Sequence, residues 1–408
     1  MTLSEELKWR GFFNQTTFKD ISELDKAPRS FYWGCDPSSD SLTIGNLAPG
    51  MMARVFIKHG YTPVVLIGGA TGMVGDPKDD EERQLKSLDE IEKNKQGIKA
   101  QYKTIFNGLE FELVDNYDWF KNMGYLEFLR EVGKKTSMSQ MLDREFVKAR
   151  TGDGNIGLSY AEFSYSLIQG YDFLHLSRHH DVSLQLCGAD QWGNSVAGVD
   201  LIRRIDGKEA HVWSTPLVVN KSTGKKFGKS EEGAVWLDAK KTSAFKFYQF
   251  WLNLDDNGVE DYLKIYTLIE VAELDALMTE FKANPGDRAA QKYLAFEVTK
   301  LVHGEQQAKN VQNVSEVLFG QKQFEELSKT ELEQLSQEIP TVKANDVVTA
   351  LVKSGLASSN SEANRFVQSQ AVAVNGVKLI SDSDFANTKG NNGYKLIKRG
   401  KNSFVLLH

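Results

Sequence analysis

The stretch DPSSDSLTIGN, residues 36–46, packs a proline, three serines, two aspartates and a threonine into one corner ahead of a helix-compatible run. Small polar side chains at a helix start suit an anion, because the first N–H groups and the helix dipole favour negative charge there. A second stretch, NKSTGKKFGKS at 220–230, sets Lys221, Lys225, Lys226 and Lys229 on a chain loosened by Gly224 and Gly228. Lysines on a glycine loop suit a polyphosphate whose charge must be met during transfer; taken alone, the same loop also fits a solvated basic segment. A third, GGATGMVGD at 68–76, lacks both the GxGxxG order and the Walker lysine, so neither nucleotide fingerprint applies. Its glycines still let backbone approach a ligand closely, and Asp76 ends it with a carboxylate. His175, His179 and His180 cluster in sequence, but Cys187 lies in another segment, and the cluster reads as structural rather than as a metal site. Cys35 abuts the first corner without a local base and reads as packing.

These clusters need elements to hold them. FYWGCD and TPVVLIGG read as strands, the second fully apolar and β-branched, as a buried parallel strand is. Residues 47–59 and about 80–107 are helix-compatible, and FELVDNYDW and SLQLCGADQ are strand-like with polar ends. The alternation predicts an α/β fold, a doubly wound, Rossmann-like parallel sheet with helices on both faces. Ligands of such sheets sit at the carboxyl ends of the strands, where these polar clusters fall. The expected division is 1–220 for this domain, 221–330 for the lysine loop and an α-helical domain, 331–343 for a linker, and 344–408 for a small α+β unit.

Composition sets bounds. The chain has 408 residues, of which 41% are hydrophobic and 25% charged, ordinary for a globular protein with a large core. No apolar run approaches the ~20 residues of a membrane span. MTLSEELKWRGFF carries acidic residues and no apolar core, so no secretory signal is expected. Two distant cysteines fit a reducing, cytoplasmic setting. Net charge is −6, yet 343–408 holds nine basic residues against four acidic ones. That tail is about +5 and the rest about −11, a local footprint for a polyanion.

Together these stretches resemble the tyrosyl-tRNA synthetases, class I aminoacyl-tRNA synthetases, in their bacterial form with a C-terminal S4 domain. YWGCDPSSDSLTIGN is similar to the first class signature and KFGKS to the second, of KMSKS type. GGATGMVGDP, NYDW, FSYSLIQGYD and GADQWGN match the family's middle motifs in order, FYQFW its helical domain, and SGLASSNSEANRFVQSQAVAVNG its S4 module. The resemblance implies a tyrosine–tRNA ligase. It would form tyrosyl-adenylate from L-tyrosine and ATP, taken as the Mg2+ complex, and pass the tyrosyl group to tRNA(Tyr). No enzyme-bound covalent intermediate is involved, so catalysis is positioning plus electrostatics, and no tightly bound protein metal is expected. A homodimer is implied too, with its interface near 116–172.

By the same resemblance Tyr32 and Asp172 hold the substrate hydroxyl. Asp76, Tyr165 and Gln169 hold the ammonium group, and Gln191 lies near the carboxylate. Tyr165, Gln169 and Asp172 fall at i, i+4 and i+7, one face of a helix. For ATP the matching positions are Asp36, Ser38, Gly45, Gly188, Asp190, Leu217, Val218, Lys226, Lys229 and Ser230. Lys78 and Arg83 follow Asp76 in a loop of the family that helps bind tyrosine or pyrophosphate, here one residue short. In the tail Ser361, Arg365, Gln368, Lys398, Arg399 and Lys401 match an RNA-binding surface that reads shape and phosphates.

One departure stands out. The first signature's two histidines are Thr43 and Asn46 here, placed in the catalytic set with Lys226 and Lys229. Asn46 keeps an N–H donor; Thr43 is shorter and uncharged. A catalytically impaired RNA-binding relative is the rival that this departure suggests, and a tryptophan-activating enzyme is another. The tyrosine pocket and KFGKS argue against the first, and the Tyr32–Asp172 pair against the second. Lys225, beside Lys226, is expected to offset part of the loss. Lys225→Ala should therefore slow tyrosine-dependent ATP–pyrophosphate exchange, and an unchanged rate would remove that role.

Overall fold

A computed structural model describes residues 1–77, 84–143, 145–151, 157–230, 233–379, 385, 388–400 and 403–408. It divides into two compact units, one of 1–242 with 254–294, the other of 243–253 with 295–408.

The first unit is built on a six-stranded sheet. Its strands are β1 (Gln15–Thr16), β2 (Ser30–Cys35), β3 (Thr62–Ile67), β4 (Glu112–Asp115), β5 (Val182–Gly188) and β6 (His211–Thr215), in the order β1-β6-β5-β2-β3-β4. All neighbours are parallel except β1, which runs antiparallel along the edge of β6. The chain winds outward from β2 through β3 to β4, then returns to lay β5 on the other side of β2. The β2/β5 seam, where Tyr32 sits opposite Gln185, is thus the point where strand order reverses. A crevice opens there at the strands' carboxyl ends. Helices cover both faces, which is why β3 is buried from Pro63 to Ile67. Phe31, Val65, Ile67, Leu184 and Trp213 have no measurable exposure. The doubly wound α/β fold expected from the sequence is the one found.

Helix Ile44–Lys58 follows β2 through the polar corner, and helix Tyr160–His179 precedes β5. The N-terminal helix Leu3–Trp9 locks onto the unit through its own C-cap. Arg10 donates to the carbonyls of Lys264, Thr267 and Ile269 at 2.9–3.0 Å, capping the carbonyl end of helix Val259–Tyr266. Glu6, buried beside it, accepts from Arg10 at 2.8 Å, His59 at 2.7 Å and Lys58 at 3.1 Å.

The second unit pairs helices with a five-stranded sheet ordered Val377–Lys378, Val372–Val374, Lys395–Arg399, Ser403–Leu407, Thr341–Val342. The sheet is buried on both faces. Ile397, Val405 and Leu407 pack with helices Val347–Lys353 and Asn360–Gln368, while Leu396, Phe404 and Leu406 pack with Val314, Leu318, Leu332 and Leu335. Residues 331–343 therefore hold most of helix Lys329–Glu338 and the edge strand Thr341–Val342, not an extended linker. Their polar composition hides two leucines that the sheet needs. No helix among the described residues is long and apolar enough to cross a membrane.

Burial alone would raise the Glu6 carboxyl, but hydrogen bonds from His59, Arg10 and Lys58 outweigh it and hold it at about 2. A depressed carboxyl stabilises the fold above its unfolded value of 4.5, and that contribution is lost as pH falls toward about 2. Glu6→Ala, which leaves the Arg10 guanidinium buried, should cost about 3 kcal/mol at neutral pH. Denaturant titrations should also show a flatter acid dependence than the parent below the unfolded value.

Candidate active site

A cavity of about 480 Å³ opens at the β2/β5 seam. Tyr32, Asp36, Ser38, Thr43, Gly45, Asn46, Asp76, Tyr165, Gln169, Asp172, Gly188, Asp190, Gln191, Leu217, Val218 and Lys226, all singled out in the sequence, line it together. They come from segments up to 194 residues apart along the chain, between Tyr32 and Lys226. Helix Tyr160–His179 turns Tyr165, Gln169 and Asp172 into it from one face, as the spacing predicts.

The floor of the cavity is a chain of hydrogen bonds. Asp172 accepts from the Trp119 indole at 2.9 Å and from Asn116 Nδ2 at 3.1 Å. Asn116 Nδ2 also donates to Thr71 Oγ1 at 3.0 Å; Thr71 donates to Asp36 at 2.6 Å; Tyr165 donates to the other Asp36 oxygen at 2.8 Å. Ala70 N–H donates to Asn116 Oδ1 at 2.6 Å, so the carboxamide can face only one way. Burial pushes the Asp172 carboxyl well up from the ordinary range, against the pull of Asn116 and Trp119, which both donate to it. Tyr32 is buried next to this carboxylate, and among the described residues its hydroxyl has no hydrogen-bond partner; Oε1 of Gln169 and Oε1 of Gln185 have none there either. Buried polar atoms rarely go unpaired, and three at one cavity indicate a polar guest. At the opposite wall Asp76 accepts from Gln191 at 2.8 Å and Asn194 at 3.3 Å.

Backbone hydrogen bonds stitch the first signature segment to the chain that follows the lysine loop. Ile44 N–H donates to Val235 O at 3.1 Å, Leu237 N–H to Leu42 O at 2.9 Å, and Val235 N–H to Gly228 O at 2.9 Å. Gly228 has φ +93°, and a Cβ there would lie 2.8 Å from Ile44 Cγ1, so only glycine lets the lysine loop approach the helix start. At Gly188 a Cβ would lie 2.6 Å from an Asp190 carboxylate oxygen. Lys225 and Lys226 are exposed. Lys78, Arg83 and Lys401 lie outside the described residues, as do the side chains of Lys229 and Ser230.

Sequence reasoning passed over Asn116, Thr71, Trp119 and Gln185. Asn116 and Trp119 lie in the NYDW motif, and Gln185 is a polar residue inside an otherwise apolar strand, which was the available signal. Burial drives the Cys35 and Cys187 thiols up to about 12, so both stay protonated. His175 stacks on Trp119 at 4.3 Å and is held down to about 4 by burial and by its histidine neighbours.

The cavity can be set beside known proteins. The family model of class I tRNA synthetases for tryptophan and tyrosine matches residues 24–320, and that of the SYY-like C-terminal domain of tyrosine–tRNA ligases matches 331–407. A tyrosine–tRNA ligase of Neisseria meningitidis is 41% identical over 100% of this chain and 99% of its own. The chain belongs to the tyrosyl-tRNA synthetase family. A Limosilactobacillus reuteri tyrosine–tRNA ligase is 39% identical over the whole chain and 99% of its own. Among solved structures, a C-terminally truncated mitochondrial tyrosyl-tRNA synthetase of Aspergillus nidulans superposes with a TM-score of 0.70 at 28% identity, over 78% of this chain and 94% of that one. The resemblance read from the motifs is thus established. It places this synthetase's two signature segments at the mouth of the cavity and its middle motifs along the walls.

In this synthetase the expected RNA-facing residues lie apart from the cavity residues in sequence and in unit. Ser361, Arg365 and Gln368 are exposed on helix Asn360–Gln368. Lys398 donates to Leu318 O at 3.2 Å, and Arg399 to Leu356 O while lying 4.9 Å over the Phe366 ring. Asn116→Ala would unpair Ala70 N–H and remove a donor from Asp172. Tyrosine binding measured by calorimetry should weaken about tenfold, with a lower melting temperature.

Proposed function

We infer that the chain is a tyrosine–tRNA ligase: it activates L-tyrosine with ATP and transfers the tyrosyl group to the 3′ end of its tRNA. The observation that carries the choice of amino acid is the orphaned Tyr32 hydroxyl beside the doubly hydrogen-bonded Asp172. A phenol hydroxyl entering there gives Tyr32 its missing partner and donates to the carboxylate. Phenylalanine would leave the Tyr32 hydroxyl unpaired in a buried site and give Asp172 no donor beyond Trp119 and Asn116, and this enzyme class is itself the standard illustration of such discrimination. Asp76, Tyr165 and Gln169 suit the ammonium group, with Asp36 joined to them through Tyr165. Gln191, tied to Asp76, stands near the carboxylate.

The tyrosine carboxylate then attacks the α-phosphorus of ATP, forming the mixed anhydride and releasing pyrophosphate. ATP enters as its Mg2+ complex. Gly188 and Asp190 suit the ribose, Leu217 and Val218 the adenine, Gly45 the close approach of the adenosine, and Ser38, Asn46 and Lys226 the phosphates, to which the resemblance adds Lys229 and Ser230. The protein supplies position and charge rather than a nucleophile.

Exposed Leu126, Met138 and Tyr160, at 78%, 59% and 63%, rim a second cavity within 116–172. Apolar exposure of this kind supports a homodimer through that segment. The exposed Arg365, Lys378 and Lys389 support tRNA contact. A cytoplasmic setting suits two thiols with no disulfide partner.

Tyrosine, but not phenylalanine, should drive ATP–pyrophosphate exchange on the pure protein. Tyr32→Phe should raise KM for tyrosine about tenfold and narrow the gap to phenylalanine. Tyrosine binding without exchange would instead leave an RNA-binding relative with an idle catalytic corner.

A further inference from the structure

The first signature segment of this chain has a threonine and an asparagine where the family's signature has histidines. Their geometry assigns them unequal parts. Thr43 N–H donates to Asn46 Oδ1 at 3.0 Å, and Thr43 Oγ1 donates to the same oxygen at 2.9 Å. A backbone N–H can only donate, so the atom facing it must be the carboxamide oxygen, not its nitrogen. The orientation of the Asn46 amide is therefore fixed by chemistry. Its NH2 finds no acceptor among the described residues, and both side chains line the cavity.

A hydroxyl has one proton. While Thr43 gives it to Asn46, it has none for a phosphate oxygen, which needs donors. The helix start completes the arrangement: Asn46 N–H and Leu47 N–H donate to Thr43 O at 3.0 and 3.1 Å, and Ile44 N–H is taken by Val235. Beside the backbone N–H of Gly45, only Asn46 of the two side chains keeps a proton donor to offer at this corner, its NH2. Two hydrogen bonds accepted at its oxygen polarise the amide and strengthen that donor.

We propose that Thr43 is a positioning residue that fixes and polarises the Asn46 carboxamide, so that of the two signature positions Asn46, and not Thr43, presents a donor to the ATP phosphates during tyrosine activation. The signature's two contacts are here merged into one contact and its holder. This rests on the ATP-dependent reading above and deepens it.

The test is a double-mutant cycle on the full chain, read by tyrosine-dependent ATP–pyrophosphate exchange. Thr43→Val keeps the shape and the backbone N–H but removes the hydroxyl proton. It should lower kcat about tenfold with little change in KM for ATP, and Thr43→Ser should recover most of the rate. In an Asn46→Ala background, adding Thr43→Val should change kcat less than about twofold, because the group it orients is gone. Melting temperatures measured on all variants separate a rate effect from unfolding. If Thr43→Val costs its full tenfold in the Asn46→Ala background, Thr43 touches the phosphate itself and the positioning role is overturned; an unchanged rate in the single variant overturns it equally. A wild-type chain that binds tyrosine and never exchanges would instead overturn the activation reading on which this role rests.

Discussion

A buried carboxylate is the constraint around which the first unit is arranged. Asp172 is taken out of water to face a ligand, and burial by itself favours its neutral form. Two fixed donors, the Trp119 indole and the Asn116 amide, oppose that pull. Asn116 can serve only because Ala70 N–H holds its oxygen, which requires the glycine-bordered turn after β3 to sit against the end of β4. The parallel pairing of β3 with β4, Ile67 opposite Asp115, brings those two ends level. The chain of donors then runs through Thr71 to Asp36 at the end of β2, so the sheet's register sets the chemistry of the cavity floor.

The same device appears at the cavity mouth. A carboxamide has two faces of opposite character, and a nearby backbone N–H decides which one is presented. Asn116 and Asn46 are both turned this way, one toward a carboxylate and the other toward the open corner. Preorganised donors of this kind need no rearrangement when a charged guest arrives, which is the condition for electrostatic catalysis without a nucleophile.

Much of this was legible from the sequence, because the strands that form the seam are β-branched and aromatic runs ending in small polar clusters. Those clusters fell at strand ends, and strand ends converge in a parallel sheet. Partnerships across the chain were not legible. Asn116 pairs with residues 45 and 56 positions away, Thr71 and Asp172, and a polar residue at a strand end looks solvated until its neighbours are known. The part played by Thr43 was hidden for the opposite reason: its partner is three residues away, but comparison with a histidine draws attention to what the side chain lacks. Residues 331–343 were misread because Leu332, Leu335 and Ile339, though at helical spacing, are outnumbered by polar residues just ahead of Pro340, yet they are enough to cover one sheet face.

That covered face bears on how the C-terminal module is inherited. Its sheet is sealed from above by helices within the module and from below by Val314, Leu318, Leu332 and Leu335. An exchange of gene segments at residue 343 would hand a new host a sheet with a bare apolar underside, and would strip its edge strand as well. Recombination can move this module only together with the helices that precede it. The hereditary unit begins well upstream of the basic surface, and its boundary is set by hydrophobic cover rather than by the residues that suit RNA.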